Sequence, residues 1–224
     1  MTADVLLFDV NETMLDVKAL APKFTEMFGD ADLLGEWFAL LLRYSLDVTT
    51  TGDYRPFDEL AAGALVTTAT RAGKAIHADQ ATALADAMAE LPAHPDVADA
   101  LWTLKASGFR LATLTNSRLD VVRSQLEFAE LDSFFDTVLS VETVERFKPH
   151  PDTYLYAASQ LGVPIGAITM VAAHDWDVNG ALLAGANAAF IERPGSPRAP
   201  HAQIPELVAP DIGGLKTLLT GGTE

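Results

Sequence analysis

The sequence predicts an α/β protein: a parallel sheet with helices between its strands and a helical cap inserted after the first strand. Three observations carry this. Val5-Leu6-Leu7-Phe8 is a short apolar run ending at Asp9, the pattern of a strand buried on both faces. Residues 17 to 91 then show helical spacing without a strand signal. From Leu91-Pro92-Ala93-His94-Pro95 onward, strand-length and helix-length runs alternate, which implies βαβ units, right-handed crossovers and a parallel sheet.

The elements follow in order. Leu33, Leu34, Trp37, Phe38, Leu41, Leu42, Ser45 and Leu46 recur at helical spacing with apolar residues on more than one face, so this helix is expected between neighbours or beside a pocket. Thr49-Thr50-Thr51-Gly52-Asp53 is read as its break. Phe57 to Ala72 and Ala78 to Ala89 read as helices, with Gly73 after the first and Asp79 as the N-cap of the second. Further helices are expected at Asp96–Ala106, Leu119–Phe128, Pro151–Leu161 and about Asp177–Ala184. Strands are expected at Phe109–Thr115, Thr137–Val141, Ile168–Ala172 and Ala188–Ile191. From Arg193 the segment Pro194-Gly195-Ser196-Pro197-Arg198-Ala199-Pro200 reads as a surface loop. Joining the first strand to the later sheet gives a core of residues 1–15 and 93–224 and a cap of residues 16–92.

Composition bounds the function. A length of 224 residues suffices for one sizeable core with a smaller insertion, or two modest domains. The formal net charge of −16 comes without a basic stripe, which argues against a nucleic-acid partner and leaves an anionic substrate dependent on local positive groups. Without cysteine, disulfides, thiolate nucleophiles and cysteine metal sites are excluded. No basic stretch precedes an apolar run at the N-terminus, and no apolar segment approaches the roughly 20 residues of a membrane span, so a cytoplasmic protein away from membranes is expected.

Four stations carry chemistry, each after an expected strand: Asp9; Thr115-Asn116-Ser117; Lys148 in Arg146-Phe147-Lys148-Pro149; and Ala172-Ala173-His174-Asp175-Trp176-Asp177. In open α/β sheets, groups beyond the carboxyl ends of the strands gather along one rim. Order and spacing resemble the four motifs of the haloacid dehalogenase (HAD) superfamily, whose fold is a Rossmann-like core with a cap. The phosphatases of that superfamily carry a second aspartate as general acid and a Gly-Asp pair that helps hold Mg²⁺. This chain has Asn11 and the pair Ala172-Ala173 at those places. It resembles instead the L-2-haloacid dehalogenase branch, through Thr13, Thr115-Asn116, Lys148-Pro149 and Trp176-Asp177 before Gly180-Ala181.

That resemblance implies a metal-free, cofactor-free enzyme acting on a small anionic halogenated carboxylate, and a homodimer with the apolar cap helices as a surface for it. By the same resemblance Asp9 is the nucleophile, Lys148 positions it, Asp177 activates water, and Thr13 belongs to the catalytic set. Thr115 takes the substrate carboxylate, Arg43 and Asn116 meet the departing halide, and Asn11, His174 and Trp176 border the substrate. The sequence departs from the branch in Asn11 for Tyr, Glu12 for Gly, Ala172 for Ser and His174 for Asn.

The residues also allow plainer readings. Arg43 stands four residues before Asp47, where an ordinary helix ion pair is available. Glu12 reads better as a helix-start carboxylate facing water than as a catalytic group, and His174 equally as a hydrogen-bonded rim residue. Trp37, Phe38 and Phe57 read as cap core before substrate contacts, and Trp176 as either pocket wall or packing. A HAD phosphatase and a catalytically silent HAD-fold protein stand as rival functions.

Overall fold

The structure is a computed structural model that describes residues 5–221. Among the described residues, six strands form one sheet in the order β3-β2-β1-β4-β5-β6, every pair parallel. The strands are β1 (Val5–Phe8), β2 (Arg110–Thr115), β3 (Thr137–Ser140), β4 (Ile168–Ala172), β5 (Asn187–Ile191) and β6 (Leu207–Ala209). β1 sits between β2 and β4, in register Phe8 to Thr113 and Phe8 to Val171. All four of its residues are buried, as a strand flanked and covered on both sides must be. The strand order reverses direction beside β1, so Asp9 emerges at the topological switch point of the sheet, where open α/β sheets form their binding crevice.

The helices are α1 (Ala21–Phe28), α2 (Leu33–Thr51), α3 (Phe57–Arg71), α4 (Ala78–Ala89), α5 (Val97–Ala106), α6 (Leu119–Phe128), α7 (Pro151–Leu161), α8 (Asp175–Leu183) and α9 (Ile212–Thr220). α5 packs with α9 and α7 with α8; right-handed crossovers put these two pairs on opposite faces of the sheet. α1 to α4 form the cap. The chain leaves for the cap and returns through two adjacent segments: Leu15 bridges Ala93, Asp16 N donates to Pro92 O at 2.8 Å, and His94 N donates to Met14 O at 2.9 Å.

Two expectations about elements need correction. α2 does not break at Thr49 but continues to Thr51 and stops at Gly52, whose φ of +78° ends the helix in a left-handed turn. The threonines are helical because their hydroxyls find partners: Thr51 Oγ1 donates to Asp47 O at 2.9 Å, and Thr49 Oγ1 accepts from Phe147 N at 3.0 Å. The latter bond fastens the cap beside the Lys148 segment. At α4 the N-cap is His77 rather than Asp79, with Gln80 Oε1 reaching back to His77 N at 2.9 Å. The segment 194–200 is loop at the surface as expected, and beyond it the chain supplies β6 and α9. α9 starts where Asp211 accepts from Gly214 N at 2.6 Å and Asp96 from Ile212 N at 2.8 Å.

Among the described residues, no helix is long and apolar enough to cross a membrane.

Candidate active site

Asp9 leaves the end of β1 with its backbone N donating to Val171 O at 3.0 Å, and its carboxylate is buried. Three side chains converge on it. Lys148 Nζ, 1% exposed, donates to Asp9 Oδ1 at 2.8 Å, Asp177 Oδ2 at 2.6 Å and Leu114 O at 2.9 Å, so its three protons meet three acceptors. Thr13 Oγ1 accepts from Ala173 N at 2.9 Å, which leaves its proton for Asp9 Oδ2 at 2.7 Å. His174 Nδ1 faces the same oxygen at 3.2 Å, and its Nε2 faces Glu12 Oε2 at 2.7 Å.

The electrostatics follow from this packing. Burial pushes the Asp9 carboxyl up, but the Lys148 charge and the His174 and Lys148 hydrogen bonds outweigh it and hold Asp9 well below the ordinary carboxylate range. Burial pushes His174 down, but its bonds to Asp9 and Glu12 raise it to about 10, so the ring is an imidazolium at neutral pH. Asp177, fully buried, is raised by burial and by the Asp9 charge despite the pull of Lys148. A buried, ionised carboxylate thus lies one lysine away from a second buried carboxylate whose proton affinity is raised, an arrangement with the chemistry of a nucleophile beside a base.

Local structure fixes each group. α7 begins at Pro151, with His150 as N-cap, and turns Tyr154 toward Asp177; the phenol donates to Asp177 Oδ1 at 2.7 Å. Gly180 on α8 permits this approach, because a Cβ there would overlap Pro149 and the Tyr154 hydroxyl. Arg193, just past β5, donates to Thr13 O through Nη2 at 2.9 Å and Nε at 3.2 Å and pairs with Asp96 at 2.7 and 3.0 Å. Asn116 Oδ1 accepts from Lys148 N at 3.0 Å, while Thr115 Oγ1 accepts from Ser117 N at 3.1 Å and keeps its own proton free to donate. Beside these, a cavity of about 530 Å³ lined by Trp37, Leu41, Phe57, Leu84, Met88 and Ser117 lies between cap and core.

Comparison with known proteins decides the family. The model of the haloacid dehalogenase-like hydrolases matches residues 3–185. This chain belongs to that family. It is 32% identical over 194 residues to (S)-2-haloacid dehalogenase 1 of Pseudomonas sp. (strain CBS-3), covering 86% of each chain. It is 25% identical over 218 residues to haloacetate dehalogenase H-2 of Moraxella sp. (strain B), covering 96% of this chain and 97% of that one. The solved L-2-haloacid dehalogenase of Xanthobacter autotrophicus with chloropropionic acid covalently bound superposes with a TM-score of 0.92 at 25% identity, covering 99% of this chain and all of that one.

Within this hydrolase the structure brings Asp9, Thr13, Lys148, His174 and Asp177 into one hydrogen-bonded cluster, with Asn116 bonded to the Lys148 backbone. Trp176 is half-buried with its ring 4.8 Å from that of His174. Two expected substrate contacts fall elsewhere. Arg43 is 65% exposed on the outer face of α2, 3.7 Å from Asp47, in a surface notch with Glu36 and Arg71. The residue that α2 turns toward the cluster is Phe38, whose ring stacks on His174 at 6.1 Å. Asn11 is engaged in structure: its Nδ2 donates to Ser117 Oγ at 3.2 Å and its Oδ1 accepts from Gln125 Nε2 at 3.1 Å. Gln125 also donates to Met88 O at 2.7 Å, so this buried chain ties the loop after Asp9 to α6 and the cap.

Glu12 departs from its expected place in water. It adopts φ +62°, a conformation side-chain-bearing residues rarely adopt, and turns its carboxylate onto His174. Glu12, Tyr154, Phe38 and Arg193 are the site residues that sequence reasoning missed. The departure at the branch's glycine place was the signal for Glu12. Nothing comparable singled out Tyr154 or Arg193. Among the described residues, no group of three or more His, Asp or Glu is arranged to hold a metal ion; Lys148 Nζ supplies the positive charge between the two carboxylates instead.

Proposed function

We propose that this hydrolase cleaves the carbon–halogen bond of a small (S)-2-haloacid in two displacements. Asp9 attacks the halogen-bearing carbon, halide departs with its bonding electrons, and an aspartyl ester forms. Water that has given a proton to Asp177 then attacks Cγ of that ester, and the 2-hydroxy acid leaves. The observation that carries this reading is the pairing of an ionised, buried Asp9 with Asp177 across Lys148, nucleophile and water base held at fixed separation by one cation. The kinship with (S)-2-haloacid dehalogenases supports it.

Thr115, with its free hydroxyl proton, is the group for the substrate carboxylate, and Asn116 remains the candidate donor for the halide. Exposed Arg43 does not enter this scheme. A phosphatase is disfavoured because Asn11, at the phosphatase acid position, cannot donate a catalytic proton and its amide is spent on Ser117 and Gln125. The pairing of Leu15 with Ala93 supports a boundary between core and cap at 15/16 and 92/93.

The test is halide release from 2-chloropropionate and chloroacetate, run beside a phosphoester panel. L-2-Chloropropionate should yield D-lactate, because the substrate carbon is attacked once. A single turnover in ¹⁸O-water should label the peptide containing Asp9 and leave the product largely unlabelled. Phosphate release without halide release would overturn the reading; label found directly in the hydroxy acid would overturn the covalent route.

A further inference from the structure

The two oxygens of Asp9 are not equivalent. Oδ1 meets one donor, Lys148 Nζ, whose charge is shared with Asp177 and Leu114 O. Oδ2 meets two: the only hydroxyl proton of Thr13 and the Nδ1 side of His174. An oxygen with two donors is the weaker nucleophile and the better place for negative charge. Resting on the dehalogenase reading above, we propose that His174, held by Glu12, and Thr13 form the oxyanion hole at Asp9 Oδ2 in which the ester intermediate is hydrolysed.

The step balances. Oδ1 gives its electron pair to the substrate carbon as halide leaves, and Oδ2 becomes the carbonyl oxygen of the ester. Water loses a proton to Asp177 and its oxygen adds to Cγ, sending the carbonyl π pair onto Oδ2 between Thr13 and His174. Collapse restores the carbonyl and breaks the bond between Cγ and the substrate-bound oxygen, which takes the proton from Asp177. Asp9 is left as the acid, whose proton goes to solvent.

The surroundings of His174 suit this task. Its ring is buried, stacked by Phe38 at 6.1 Å and packed against Trp176 at 4.8 Å, so its orientation is fixed before the reaction. Both ring nitrogens face carboxylate oxygens, an arrangement satisfied at both ends by the doubly protonated ring. The raised proton affinity of His174 keeps that ring charged at neutral pH. Glu12 maintains it from a left-handed backbone conformation, the sort of strain that persists where a function holds it. Glu12 and His174, 162 residues apart in sequence, stand in the structure as one bonded pair.

The experiment separates the two half-reactions. Wild type, His174→Asn, His174→Ala and Glu12→Gln are mixed in excess over 2-chloropropionate and quenched rapidly. Chloride measures ester formation, hydroxy acid measures hydrolysis, and mass spectrometry of the Asp9 peptide measures standing ester. Circular dichroism confirms folding, and Glu12→Gln, a near-isosteric change at a partly exposed side chain, guards against loss of fold. We expect hydrolysis to fall about 10²–10³-fold in both His174 variants, chloride release to change by less than tenfold, and ester to accumulate on Asp9. Glu12→Gln should show the same pattern, weaker. Added imidazole should restore hydrolysis in His174→Ala. Equal loss in both half-reactions, or slowed chloride release without standing ester, would overturn the assignment while the dehalogenase reading survives. Failure of wild type to form any ester would overturn both.

Discussion

Replacing Lys148 with methionine tests the centre of the site, because it keeps the length of the side chain and removes its charge. Lys148 Nζ is buried and bonds Asp9, Asp177 and the Leu114 carbonyl. Its removal leaves two buried carboxylates, of which only Asp9 keeps a cation, His174. Removing one partner of a buried ion pair costs about 3–5 kcal/mol. For a chain of this size each kcal/mol lowers the melting temperature by about 2–4 °C, so the variant should melt roughly 6–20 °C below wild type at pH 8. The pH dependence has a definite sign. Burial lowers the proton affinity of Lys148 but the two aspartates raise it further, so its stabilisation is present through neutrality and lost only at alkaline pH. In the variant Asp177 has no cation, its proton affinity rises further, and it becomes more easily tolerated as pH falls. The gap between the two proteins should therefore narrow from pH 8 toward pH 5. Activity at neutral pH should fall by about 10²–10⁴, the contribution of a positioned base, because Asp177 becomes protonated. Calorimetry across this range, beside halide assays, decides the matter. A gap under 2 °C, or one that does not change with pH, would refute the picture of Lys148 as the charge that lets both carboxylates ionise.

Three further outcomes are expected. Arg43→Ala should leave halide release within twofold of wild type, since the exposed Arg43–Asp47 pair lies outside the cluster; a hundredfold loss would return Arg43 to the site. Dehalogenation should be unchanged by EDTA and by added Mg²⁺, because Lys148 already stands between the carboxylates a cation would bridge; activity lost to chelator and restored by Mg²⁺ would contradict this. His174, raised from the usual 6.5 to about 10 by Asp9 and Glu12 against the effect of burial, contributes stability present below pH 6.5 and lost as pH rises toward 10. Urea titrations should therefore show wild type losing more stability over that interval than His174→Asn, and parallel curves would count against the charged ring.

The fold was legible wherever a strand or helix was long and patterned. The first strand, the alternation after Ala93 and the cap helices all follow from apolar period. β6 was not, because its three residues, in the short run that Pro205 and Pro210 bound, are too few to show alternation, and α9 was hidden by Gly213-Gly214 in its first turn. The cluster was legible where chemistry follows a strand, as at Asp9, Lys148 and Asp177. Arg43 is set apart from the cluster by helical phase. It lies five residues from Phe38, about 140° around α2 at roughly 100° per residue, so the two cannot face the same rim. Glu12 failed because its partner His174 lies 162 residues away, and local context offered only solvent. Tyr154 and Arg193 are set by packing between elements, which no period records.

The central position of β1 bears on how the protein is made. Val5 pairs with Arg110 on one side and Ile168 on the other. At about 5–20 residues per second, the ribosome adds the intervening chain up to Ile168 in roughly 8–30 s. For that time β1 lacks its second neighbour, and an apolar strand with an open edge invites association with other chains. Expression at lower temperature or with raised levels of a holdase chaperone should therefore increase the soluble yield, and polar substitutions in the cap should not substitute for either. The same placement that puts Asp9 at the middle of the sheet makes it one of the last parts of the molecule to be enclosed.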